Sequence, residues 1–164
     1  MKKIILIKSL LFGILYFLFS TSLDYTDLFK VPFIILMQFL PGITFPISAV
    51  NYIKLKTTPI KVIVHILFSV IIYYSNVWLY SYQNDFKLSP IFAGLLGSLL
   101  FLVMSKYILK LNTKWNEIII SSLLSGIVFL PIVIFEGIGI SIGLAILLWT
   151  LLNGVIMYKS QKNI

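Results

Sequence analysis

Polar side chains set inside apolar sequence are where chemistry would reside, and this chain has few of them. Gln38 and Thr44 flank Pro41 and Gly42 in a stretch that also holds Pro46. Each proline removes a backbone donor, and its ring presses on the carbonyl one turn back. The spacing predicts a kink or break between Gln38 and Ile47, with freed carbonyls that need protein or water as partners. Gln38, Pro41, Gly42 and Thr44 are therefore the expected lining of a substrate or ion cavity, with Asn76 and Glu136 near its outer mouth. Discontinuous helices of this kind hold the binding sites of many membrane carriers. A proline-kinked structural helix is the plainer reading of the same residues. An echo exists, because Phe39-Leu40-Pro41 with Phe45 returns as Phe129-Leu130-Pro131 with Phe135.

The other polar residues promise less. His65 is the sole histidine, and no acid lies between Asp27 and Asp85, so a hydrogen-bonded ring is the plainer reading and a metal ligand the sharper one. Ser121, Ser122 and Ser125 stripe a later run, and Thr150 and Asn153 lie in the last. Cysteine is absent, and there is no H-E-x-x-H, no phosphate-binding glycine motif and no pair of intramembrane carboxylates. The expected protein is not an enzyme and needs no metal or cofactor.

The elements that hold these residues are apolar runs. Of 164 residues, 60% are hydrophobic and 11% charged, and the mean hydropathy is +1.05. A water-facing surface takes about 25% charged residues, so lipid is the expected solvent. A crossing needs about 20 apolar residues. Six runs qualify, over 4–22, 31–53, 59–82, 88–109, 118–135 and 138–158. The last two touch, so a tight hairpin is expected at Glu136–Gly139. Thr58-Pro59 and Ser89-Pro90 each offer a capping hydroxyl before a proline at a helix start.

Charge orients the runs. Lys2, Lys3, Lys8, Lys54, Lys56, Lys61, Lys106, Lys110, Lys114, Lys159 and Lys162 fall at the termini and in the even-numbered connections, with Glu117 as the one acid there. The opposite connections hold Asp24, Asp27, Asp85 and Glu136 with Lys30 and Lys87. The positive-inside rule then puts both termini in the cytoplasm. The sequence predicts an all-α, polytopic integral membrane protein, a single bundle of six transmembrane helices. An uncleaved first span is expected, since its apolar stretch is too long for a signal peptide. The lysine-only basic set and the abundance of isoleucine suggest an AT-rich bacterial genome, hence the inner membrane. A net charge of +8 raises the question of nucleic acid, but the lysines are scattered over membrane-edge clusters and arginine is absent. The expected partner is the bilayer, and no nucleic acid is implied.

Small residues mark where helices approach closely. Gly139-x-x-x-Gly143 is the clearest pair, followed by Gly94 with Ser98, Ala93 with Gly97, Ser122 with Gly126, and Ser9 with Gly13. The pairs crowd toward the carboxyl half, so the last three runs are expected to pack most closely. Gly139 and Gly143 either pack within the subunit or mediate self-association or contact with another membrane subunit. Two functions suit the whole pattern. One is a substrate-binding or translocating component of a transporter. The other is a non-enzymatic accessory, scaffold or immunity protein that acts through helix contacts.

Overall fold

Helices form wherever the apolar runs are long enough, because a backbone in lipid must satisfy its own polar groups. The computed structural model describes residues 3–22, 30–81, 85–135 and 139–162, the side chains of 30–38 excepted. It is all-helical in these residues: α1 Ile4–Ser22, α2 Lys30–Ala49, α3 Pro59–Ser81, α4 Ser89–Ile108, α5 Trp115–Ile127, α6 Leu130–Ile134 and α7 Gly139–Lys162. Five helical stretches are long and apolar enough to cross a membrane, with α5 and α6 together forming one of them, Trp115–Ile134.

Burial is inverted relative to a soluble protein. Ser98, Ser125, Thr150 and Asn153 are fully enclosed, while Ile63, Leu67, Leu15 and Ile120 are more than half exposed. Water on the outside would make that distribution costly. Lipid makes it natural, since apolar side chains gain nothing by leaving hydrocarbon and small or hydrogen-bonding groups hold helices together.

The most extensive pairing joins the first helix to the last. This differs from the expectation that the carboxyl-terminal helices would be most tightly packed. The seam is antiparallel and built from small residues. An added Cβ at Gly154 would fall 2.8 Å from Ser9, at Gly13 2.6 Å from Thr150 Oγ1, and at Gly143 3.0 Å from the Phe17 ring. Ser20 Oγ donates to the Gly139 carbonyl at 2.7 Å. Gly139 and Gly143 are therefore covered by α1, in packing within the subunit. Small-residue spacing shows that some helix comes close but carries no information about which one.

Pro41 and Pro46 behave differently from Pro131. α2 stays helical through both Pro41 and Pro46, so the predicted break between Gln38 and Ile47 is absent. Pro46 is sealed in the core. Gly42 lets α2 lie directly on α3, since a Cβ there would come 2.8 Å from the Val70 Cα. That packing holds the helix together at positions where an isolated segment would lose about 3 kcal/mol per proline. The break falls instead at Pro131. Phe129 N–H bonds Gly126 O at 3.1 Å and Ile132 N–H bonds Phe129 O at 3.1 Å, a tightened turn that separates α5 from α6. Ser89 also departs from expectation. It lies inside α4, and Leu88 occupies the cap position without a side-chain bond. The Ser89 hydroxyl instead reaches the Tyr80 carbonyl at 3.5 Å.

Aromatic rings fill the middle of the bundle. Phe45 of α2 meets Phe101 of α4 at 5.0 Å and Trp149 of α7 at 4.9 Å between centroids. Phe12 of α1 closes the group at 6.1 Å from Phe45.

Candidate functional site

Of the predicted cavity residues, the structure describes the surroundings of Pro41, Gly42, Thr44 and Asn76. Pro41 and Gly42 are buried, with Gly42 packed on α3. The Thr44 hydroxyl donates to Leu40 O of its own helix at 2.8 Å. Asn76 donates from Nδ2 to Ile72 O at 2.6 Å and lies against Gly97 of α4. Glu136 and the predicted turn at 136–138 lie outside the described residues, as does the Gln38 side chain.

Two polar constellations form elsewhere. The first is a buried triangle linking α4, α5 and α7. Ser98 Oγ donates to Asn153 Oδ1 at 2.6 Å, and Asn153 Nδ2 donates to Ser125 Oγ at 3.3 Å and to Trp149 O at 2.9 Å. Asn153 uses both ends of its amide, which fits a role in holding the helices in register. Ser121 Oγ lies buried nearby on α5 without a hydrogen-bond partner among the described residues.

The second constellation lies at the lysine-rich end, where α2, α4 and α7 finish and α3 and α5 begin. His65 of α3 is completely enclosed. Its Nδ1 is 2.8 Å from the Tyr52 hydroxyl, and its Nε2 is 2.9 Å from Ser105 Oγ. Ser105 has one hydroxyl proton, and it goes to the Phe101 carbonyl at 2.7 Å. Ser105 must therefore accept from His65 Nε2–H, which leaves Nδ1 to accept from Tyr52. The ring gives a proton to the serine instead of taking one, the reverse of a pair that activates a nucleophile. The chain Tyr52–His65–Ser105 ties the loop after α2 to α3 and α4.

A clamp at the same end ties α7 to α2. Gln161 Oε1 accepts from Asn51 N–H at 2.8 Å, and its Nε2 donates to Ala49 O at 2.9 Å and Met157 O at 2.8 Å. Lys54 Nζ donates to Gln161 O at 2.5 Å. One glutamine thereby satisfies the Ala49 carbonyl at the open end of α2. It also explains why α7 continues to Lys162 beyond the predicted limit at Tyr158, with Lys159 and Lys162 favourably placed in the last turn.

Sequence reasoning singled out His65, Asn153 and Ser125 but not how they pair. Gln161 carried no signal, since it lies beyond the last apolar run, which was read as ending at Tyr158. Its role arises from the fold, which brings residues 51 and 161 together.

Burial raises the Tyr52 phenol above its ordinary range. The folded chain then keeps a proton that the unfolded chain releases near pH ~10, so this contribution is fully present below that pH and is lost progressively as pH rises from there toward the higher folded value. Tyr52→Phe is expected to give a shallower loss of unfolding midpoint between about pH 9 and 11. The check is thermal unfolding in detergent across that range, and an identical slope in both proteins would rule out Tyr52 as a source. Compared with known protein families, curated proteins and solved structures, the chain matches none.

Proposed function

We propose that this chain is a six-span protein of the bacterial inner membrane, with both termini cytoplasmic, that works without catalysis as an accessory or scaffold component through helix contacts. The five spanning stretches together with α2, 20 residues long, supply the six crossings. The shared position of Lys54, Lys56, Lys61, Lys106, Lys110, Lys159 and Lys162 at one end of the bundle supports the orientation, because the positive-inside rule acts on the whole end.

One observation carries the functional reading: Asn153, Ser98 and Ser125 are used between helices inside the bundle, while α3 stays peripheral. The triangle around Asn153, the α1/α7 seam and the Phe45 cluster fill the middle of the bundle. α3, by contrast, buries only His65 and Ser69 of its 23 residues. Its exposed Ile60, Ile63, Leu67, Ile71, Tyr74 and Trp78 follow the three–four spacing that a second helix can engage. The intended partner is a transmembrane helix of another protein.

A photo-crosslinking amino acid at Leu67 or Ile71 in intact cells tests this. A discrete protein adduct is expected at these positions and not at Leu15 of α1. Lipid adducts alone at all three positions would defeat the proposal.

A further inference from the structure

We infer that the cleft between the loop after α2 and the end of α4 is a binding site for a phosphate group, carried by a lipid headgroup or free in solution. The inference is independent of how the outer face of α3 is used.

The cleft has a volume of about 260 Å³ and is lined by Lys56, Thr57, Thr58, Lys61 and Lys110 over a floor that includes Leu109. Lys56, Lys61 and Lys110 are exposed, and three like charges around one cleft raise the local potential for an anion. None of the three side chains is hydrogen-bonded or ion-paired among the described residues. Of the other lysines at this end, Lys54 bonds Gln161 O, and Lys106 bonds Thr113 O and lies over the Trp115 ring at 5.2 Å, while Lys159 and Lys162 stand at the end of α7 away from the cleft. The fold therefore separates structural lysines from lysines left with unused charge.

Three further features converge on the cleft. Thr57 and Thr58 bring hydroxyl donors. The first intrahelical bond of α3 runs from Val62 N–H to Thr58 O, so the amides of Ile60 and Lys61 have no intrahelical partner, and the positive end of the helix dipole lies beside the lysines. Lys56 and Lys110 have φ of 47° and 53°. Both therefore hold a left-handed backbone that lysine adopts at a cost. Lysine binds phosphate as a point charge and needs no planar match, and three of them with two hydroxyls suit a phosphate better than a single carboxylate.

The test uses the full chain purified in neutral detergent. Its unfolding midpoint is measured with added inorganic phosphate, and separately with phosphatidylglycerol or phosphatidylcholine in mixed micelles. The triple variant Lys56→Gln/Lys61→Gln/Lys110→Gln is compared with Lys3→Gln/Lys8→Gln/Lys159→Gln, which removes the same charge elsewhere. The cleft variant is expected to need at least tenfold more of the anion for equal stabilisation, and the control variant is expected to behave as wild type. A response to inorganic phosphate identifies a free anion. A response to phosphatidylglycerol alone identifies a headgroup. Equal loss in both variants, or no response in wild type to either anion, overturns the proposal. If the triple variant fails to fold, Lys61→Gln and Lys110→Gln singly carry the same comparison.

Discussion

Gly94→Ala is expected to cost about 3 kcal/mol of stability, whereas Gly97→Ala, three residues further along the same helix, is expected to cost less than about 1 kcal/mol. A Cβ at Gly94 would come 2.5 Å from the Ser125 carbonyl oxygen and 2.5 Å from the Phe129 ring. The first of these atoms is backbone in the last turn of α5, so it cannot rotate away as a side chain could. The second lies at the tightened turn between α5 and α6, where the ring is one of the few buried large side chains. Relief requires α5 to move off α4 as a body, which opens the Ser98–Asn153–Ser125 triangle as well. At Gly97 the nearest atoms are those of the Asn76 amide, at 3.4 Å or more. That is ordinary van der Waals contact, and alanine gains about 0.5–1 kcal/mol of helix preference over glycine. Unfolding midpoints of the two variants in detergent check the contrast. Equal midpoints would mean that α4 and α5 do not approach as closely as the Gly94 geometry requires.

The same residues show what a sequence can and cannot reveal here. The limits of α1 and the start of α3 were legible, because they depend on where apolar residues stop and where a proline can begin a helix. The two Phe-Leu-Pro triplets were not separable. One lies in a continuous helix and the other at a helix break, although the local residues are the same. What separates them is the neighbour: Gly42 gives α2 a flat face against α3, while the chain at Phe129 turns to place its ring over Gly94. Close-packing pairs such as Gly139 and Gly143 were visible as motifs, but the helix that covers them is α1, more than 100 residues away in the chain. The cavity expected at Gln38, Pro41, Gly42 and Thr44 was argued from a break, whereas α2 is continuous through Pro41 and Pro46. The lysines were read as orientation signals alone, and their division into engaged and unpaired groups depends on contacts with residues 113, 115 and 161. Hydrogen-bond partners are a property of the fold, so polar residues in a sequence give the candidates but not the pairs.

His65 is where removal of one side chain should be felt furthest from its own position. His65→Ala is expected to destabilise the protein by about 3 kcal/mol, since it opens a ring-sized cavity at a fully enclosed site and removes two hydrogen bonds. His65→Phe is expected to cost about 1 kcal/mol. It restores the volume, Ser105 keeps its bond to the Phe101 carbonyl, and the half-buried Tyr52 hydroxyl can turn to water. The difference between the two variants measures packing, and what remains in the phenylalanine variant measures the hydrogen bonds. Both variants release Tyr52, whose carbonyl accepts from Thr57 N–H at 3.1 Å. Faster amide exchange is therefore expected at Leu55 and Thr57 in both, with α7 unaffected above Asn153. Loosening this loop also displaces Lys56, so phosphate binding should weaken in the phenylalanine variant even though every lysine is retained. Unchanged exchange at Leu55 and Thr57 would show that the loop is held by the Gln161 clamp alone. The chain Tyr52–His65–Ser105 would then be a core contact with no influence on the cleft.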